Sequence, residues 1–192
     1  TGMTAALKMA GQGYEVYLVE REAQLGGNAR HIYNTLRNDR VQEVLADMVA
    51  QVYAEPRITV YLKATLKQVD GFVGNFRSVI TQEGNGRGPT EVTIDHGVVI
   101  LATGAEERQT TAYLRGQDPR VLTQRELEEQ LAQGKFALPP RGTVVMIQCV
   151  ESRTPEHPYC SRVCCSQALK NAIALKTRYP ESNVFIIYRD IR

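Results

Sequence analysis

Strand-like and helix-like segments alternate along this chain, and the alternation limits its fold more than any other feature. YEVYLVE (14–20) and TVVMIQ (143–148) are rich in β-forming residues, and GVVIL (97–101) is apolar throughout, as is typical of a strand buried in a parallel sheet. Three segments have helical periodicity or helix-ending glycines, at 2–12, 41–52 and 165–180. The alternation predicts an α/β fold with a parallel sheet.

The β-α-β pattern occurs at both ends of the chain. Between them, the short runs ITVYL, ATLKQV, FRSVITQ and EVTI predict one strand followed by an antiparallel meander. We therefore expect a Rossmann-like unit with an antiparallel β-meander at 1–106 and a connector with a capped helix at 107–140. A truncated second Rossmann-like βαβ unit is expected at 141–192. Because TGMTAALKMAGQG opens the chain without a preceding strand, we expect an internal segment of a longer polypeptide.

Composition excludes several classes of protein. The 192 residues are 43% hydrophobic and 23% charged, as in an ordinary globular protein, and the net charge of +2 predicts no nucleic-acid partner. The longest apolar runs are too short to span a bilayer, and no signal peptide is visible. Four clustered cysteines are too few for a disulfide scaffold and favour a reducing, cytoplasmic location.

The first unit carries part of a dinucleotide-binding pattern. Gly2 occupies the place of the third glycine in G-x-G-x-x-G, and Glu20 ends the following strand, where an acid binds ribose hydroxyls. The paired Gly26 and Gly27 allow backbone amides to approach phosphate oxygens, and Arg30 can add charge-assisted hydrogen bonds. A generic helix with an ordinary loop, and a solvated arginine, is the alternative.

The four cysteines of the chain lie in one region, spaced C-x10-C-x3-C-C: Cys149, Cys160, Cys164 and Cys165. They follow a strand and open a helix, whose N-terminus favours thiolates. An iron–sulfur cluster would use all four thiols, whereas a redox dithiol would leave two unexplained. Zinc is a third possibility, although C-x2-C knuckles are absent, and inert thiols are a fourth. The turn after this strand contains no glycine, so ordinary NAD(P)H binding is not expected there.

Several stretches together resemble a known family. The run from Glu20 to Arg30 (E-x5-G-G-x-x-R) and GVVILATGAEER, with Thr103 and Gly104, resemble the flavin motifs of two-dinucleotide-binding, thioredoxin-reductase-like flavoproteins. GMTAALKMAGQGYEVYLVEREAQLGG, VVMIQCVESR and PYCSRVCCSQALKNA extend the resemblance over nearly the whole chain. The family they resemble is HdrA, the flavoprotein subunit of heterodisulfide reductase.

This resemblance implies an electron-transfer oxidoreductase subunit that binds FAD and an iron–sulfur cluster. Such subunits move electrons between the flavin and partner subunits, ferredoxin or hydrogenase-type donors, and in methanogens the flavin bifurcates electron pairs. The cofactor-binding positions implied are Gly2, Glu20, Arg21, Gly26, Gly27, Arg30, Thr103 and Gly104. The four cysteines would ligate a cluster, of the 4Fe-4S type. The alternatives are a pyridine-nucleotide disulfide oxidoreductase that uses a cysteine pair, and a non-catalytic domain with a structural zinc site.

Overall fold

Contacts between residues divide the chain into two units. The computed structural model describes residues 1–37, 39–84 and 88–192. The first unit comprises residues 1–30 and 43–106, and the second comprises 31–42 and 107–192. The separate connector expected at 107–140 stays a prediction.

In the first unit, a parallel strand pair packs against two helices. The elements are α1 (Gly2–Ala10), β1 (Val16–Val19), α2 (Val41–Ala54) and β2 (Ile58–Tyr61). β1 and β2 pair in parallel, with Val16 opposite Ile58. The small side chains of α1 allow close packing on the sheet, and the periodic apolar positions of α2 place Val52 in the core. The buried cluster is Ala6, Ala10, Leu25, Val52 and Ile58.

The predicted meander is confirmed. Strands β3 (Ala64–Phe72), β4 (Asn75–Gln82) and β5 (Thr90–His96) form an antiparallel sheet in sequence order. Gly71 makes the β3–β4 turn possible, because its φ is +96° and a Cβ there would lie 2.2 Å from the Asn75 carbonyl oxygen.

The prediction that GVVIL is a buried strand is wrong. Residues 97–101 have no strand structure, and Val98, Ile100 and Leu101 are 66%, 55% and 79% exposed. A strand needs a neighbour that pairs with its backbone groups. In residues 1–37, 39–84 and 88–192, none of the three sheets includes this segment. An apolar run alone does not supply that partner.

The second unit repeats the parallel arrangement on a smaller scale. Its elements are α3 (Gln124–Ala132), β6 (Thr143–Ile147), α4 (Cys164–Arg178) and β7 (Asn183–Ile187). β6 and β7 pair in parallel, and a core of Leu127, Met146, Ala168 and Leu175 lies between sheet and helices. The capping box predicted for α3 is confirmed, with Thr123 and Glu126 each accepting the other's backbone N–H. The parallel pairs and the meander confirm the predicted α/β class.

A buried ion pair attaches the segment 31–42 to the second unit. Lys170 on α4 donates to Glu128 Oε1 on α3 over 2.6 Å and to the Asn34 carbonyl oxygen over 3.0 Å. The Tyr33 N–H donates to the same Glu128 oxygen over 2.7 Å. The Lys170 and Glu128 side chains are only 9% and 3% exposed. Two helices and a remote segment are therefore joined through one pair of charges.

Candidate functional site

The predicted third glycine lies where the first helix meets two other segments. A Cβ on Gly2 would lie 3.4 Å from Ala102 Cβ and 3.6 Å from Leu18 Cδ1. Those contacts leave little room for a larger side chain between the helix, β1 and the segment that leads to Thr103. Gly2 thus has the close packing expected of that position in a dinucleotide-binding turn.

Two hydrogen bonds join the loop at 20–30 to the segment that contains Thr103 and Gly104. Arg21 Nη2 donates to Glu106 Oε1 over 2.6 Å, and Asn28 Nδ2 donates to the Ala105 carbonyl oxygen over 2.6 Å. The carboxylate of Glu106 raises the pKa of Arg21 above its usual value. The structure therefore brings together the two flavin-like motifs that the sequence separates. Asn28 and Glu106 were missed by the sequence analysis, because nothing local marks them as partners.

Glu20 is half-buried at the carboxyl end of β1. Its backbone N–H donates to the Tyr61 carbonyl oxygen, and its own carbonyl oxygen accepts the Ala64 N–H, each over 2.9 Å. One carboxylate oxygen accepts the Glu22 N–H over 2.9 Å. The backbone and one carboxylate oxygen are thus fixed at the strand end.

Gly26 and Gly27 adopt backbone conformations that favour glycine. Their φ angles are +120° and +50°, and a Cβ on Gly26 would lie 2.9 Å from Arg30 Cγ and 3.3 Å from Leu45 Cδ1. The Arg30 side chain therefore packs directly over Gly26. Gly104 also has a positive φ, +70°, with open space around it, and Thr103 is exposed.

These residues fit a cofactor that carries a pyrophosphate. A helix N-terminus, a glycine pair and a nearby guanidinium are the groups that bind phosphate oxygens. A carboxylate at the end of the second strand suits ribose hydroxyls. The first unit holds all of them, at Gly2, Gly26, Gly27, Arg30 and Glu20.

The four cysteines lie around the carboxyl end of β6 and the start of α4. All are free thiols; Cys165 is buried, and Cys149, Cys160 and Cys164 are half-buried. Cys160 Sγ accepts the Arg162 N–H over 3.4 Å, and Cys164 Sγ accepts the Ser161 hydroxyl over 3.7 Å. Donors of this kind suit a sulfur that carries negative charge, as a metal-bound thiolate does.

The thiols are not gathered into a finished metal site. Within the described ranges, no three His, Cys, Asp or Glu side chains lie close enough together to hold a metal ion. The loop between β6 and α4 is instead strained, with positive φ at four non-glycine residues: Cys149, Glu151, Arg153 and Arg162. Arg153 forms an ion pair with Asp190, so its charge is not directed at the thiols alone.

The donor set nevertheless fits an iron–sulfur centre. Four free thiols in a 17-residue stretch, two of them in the first turn of a 15-residue helix, supply the ligand number and type that such a centre requires. Ligation of one centre by all four would require the loop at 149–163 to rearrange. Across residues 1–37, 39–84 and 88–192, no helix is long and apolar enough to cross a membrane.

Comparisons with known proteins point to one family. No family model matches the chain. The chain is 27% identical to an iron–sulfur subunit of CoB–CoM heterodisulfide reductase from Methanopyrus kandleri, and 28% identical to the corresponding subunit from Methanocaldococcus jannaschii. Both alignments cover the whole chain but only 42% of each relative. The aligned stretches, 282 and 277 residues, are longer than this chain, so the relatives contain residues here that it lacks.

A solved structure supports the fold. The crystal structure of L-proline dehydrogenase from P. horikoshii matches the whole chain and 34% of its own chain, with a TM-score of 0.54 and 20% sequence identity. At that identity the match concerns the fold alone. The alignments to the curated subunits, in contrast, extend through both the glycine motifs and the cysteine run. The chain is therefore a homologue of the heterodisulfide reductase subunit HdrA over its whole length, as its motifs predicted.

Proposed function

We propose that this chain is the core of an FAD- and iron–sulfur-dependent electron-transfer oxidoreductase subunit of the HdrA type. The observation that carries the proposal is the combination of a pyrophosphate-type loop in one unit with four free thiols in the other. The relatives support it, since they are named heterodisulfide reductases and iron–sulfur subunits. The chain spans about two fifths of their length, so the activity is proposed for the larger subunit type.

FAD would supply hydride and electron-pair chemistry when bound. In the proposal, the N-terminus of α1 and the amides of Gly26 and Gly27 bind the pyrophosphate, and Arg30 neutralises part of its charge. Glu20 accepts hydrogen bonds from ribose hydroxyls. Arg21 acts through its bond to Glu106, which holds the loop against the segment containing Thr103 and Gly104.

A 4Fe-4S cluster would supply single-electron transfer, with Cys149, Cys160, Cys164 and Cys165 as ligands. The N-terminus of α4 offsets negative charge on Cys164 and Cys165. The chain contributes positioning and electrostatics, and none of its side chains is assigned as an acid or base. Free thiols are consistent with the reducing, cytoplasmic location that we propose.

The proposed partners are other subunits of a heterodisulfide reductase-like complex, with ferredoxin or hydrogenase-type donors. One relative, from Methanococcus maripaludis, is named as a subunit of an H2/formate:CoB–CoM heterodisulfide,ferredoxin reductase and is 27% identical over the whole chain. A disulfide oxidoreductase with a cysteine pair and a structural zinc domain are less well supported, because the relatives' names describe iron–sulfur and heterodisulfide chemistry.

Replacing Gly26 with Ala is expected to weaken FAD binding at least tenfold, or about 1.4 kcal/mol. The new Cβ would meet Arg30 Cγ at 2.9 Å and displace both the loop and the guanidinium. Titration of the flavin-free chain with FAD, followed by flavin fluorescence, measures the Kd.

Gly13→Ala is the matched control. Gly13 also has a positive φ, +95°, but it lies in the turn after α1 and a Cβ there meets nothing within 4 Å. It therefore shares the backbone strain of Gly26 without the contact to Arg30. An equal loss of FAD affinity in both variants would contradict the assignment of Gly26 to the flavin loop.

A further inference from the structure

The side chain of Gln148 is a buried hydrogen-bond donor without an acceptor. The residue is 8% exposed, and its Nε2 finds no partner within the described part of the chain. Its backbone N–H, in contrast, donates to the Ile187 carbonyl oxygen over 2.9 Å. Burying an unpaired amide costs roughly 1–3 kcal/mol, which an apolar side chain would avoid. A glutamine at this position therefore points to an acceptor that binds here.

The strand register places this amide beside the cysteine region. Side chains alternate along β6, so Gln148 lies on the same face as Met146, two residues earlier. Met146 packs in the core with Ala168 of α4, and Cys165 lies one helical turn before Ala168. Both Gln148 and Cys165 are buried.

Distances along the two elements agree with this placement. The strand advances about 7 Å from Met146 to Gln148, and the helix about 4.5 Å from Ala168 back to Cys165. In a βαβ unit the helix runs back along the strand, so both steps lead to the carboxyl edge of the sheet. Cys165 Sγ lies 4.0 Å from the Asp190 carbonyl oxygen, just beyond β7 at that same edge.

We propose that Gln148 donates an N–H···S hydrogen bond to the iron–sulfur centre held by the four cysteines, and thereby raises its reduction potential. The inference rests on the proposed function. Hydrogen bonds to cluster sulfurs are one of the levers that set cluster potentials. The reduced centre carries one more negative charge than the oxidised centre, so an N–H donor stabilises it more. Gln148 is a positioning and tuning residue, and the cysteines remain the ligands.

The test compares Gln148→Met with Gln133→Met in the full chain, reconstituted anaerobically with iron and sulfide. Methionine keeps the length of the side chain but removes the donor. Gln133 is an exposed glutamine of the same unit that bonds to Glu129, so it controls for the substitution itself. Iron and sulfide per chain are measured first. The midpoint potential is then determined by redox titration monitored by electron paramagnetic resonance.

Gln148→Met is expected to keep its iron and sulfide, while the ratio of reduced to oxidised centre at a fixed potential falls about tenfold. For one electron that is a midpoint about 59 mV lower. Gln133→Met should match the wild type. An unchanged midpoint in Gln148→Met with full iron content would overturn the inference and leave the proposed function standing.

Gln148→Glu provides a second variant if the methionine chain does not fold. Glutamate keeps the shape of glutamine but has no N–H donor when ionised, and its midpoint should also fall. A wild-type chain that takes up no iron and sulfide would overturn the proposed function itself, and the inference with it.

Discussion

Replacing Lys170 with Met is expected to lower the free energy of unfolding by about 3–5 kcal/mol. The change leaves the Glu128 carboxylate buried, with a side chain only 3% exposed, and without its charged partner. It also removes the bond from Lys170 to the Asn34 carbonyl oxygen, which fixes the segment 31–42 in the second unit. Urea unfolding monitored by circular dichroism measures the loss.

Two further variants separate the buried charge from the helix itself. Lys176→Met, also on α4, removes an exposed lysine that bonds only to the Pro180 and Ser182 carbonyl oxygens, and should cost no more than about 1 kcal/mol. The double variant Glu128→Leu with Lys170→Met should recover most of the loss, since no lone charge then remains buried. A loss below about 1 kcal/mol in Lys170→Met alone would contradict the role of this pair.

Replacing Cys164 with Ser is expected to remove most of the iron and acid-labile sulfide from the chain. Cys164 is the first residue of α4 and already accepts a hydrogen bond from Ser161. A serine hydroxyl is a poor substitute for a thiolate at an iron–sulfur centre. FAD binding should stay at the wild-type level, because the proposed flavin residues lie in the other unit.

Ser166→Ala is the control for this variant, since Ser166 is exposed in the same turn of α4. It should retain iron, sulfide and FAD. Full iron content in Cys164→Ser would show that Cys164 is not a ligand. Loss of both cofactors in Cys164→Ser would indicate a general folding defect.

Local patterns predicted the elements that depend on local contacts. The periodic apolar residues of α2, the Thr123–Glu126 capping box and the turn residues of the meander each act within a few positions of sequence. The α/β class followed from their order. GVVIL failed because a strand depends on a neighbour, which an apolar run does not provide.

The candidate site was predictable only in part. Glycines and cysteines have recognisable spacings because backbone conformation and ligand number require them. The contacts from Arg21 to Glu106 and from Asn28 to Ala105 join positions far apart in sequence, and no spacing marks them. The Lys170–Glu128 pair and the unpaired amide of Gln148 likewise became visible only through burial.

Metal and sulfide analysis of the wild-type chain tests the central claim most directly. The chain is purified without oxygen, and iron, zinc and acid-labile sulfide are measured per chain. We expect iron and sulfide in near-equal amounts, approaching roughly four of each for a 4Fe-4S cluster held by four cysteines. Zinc without sulfide would contradict the iron–sulfur assignment and indicate a structural four-cysteine site.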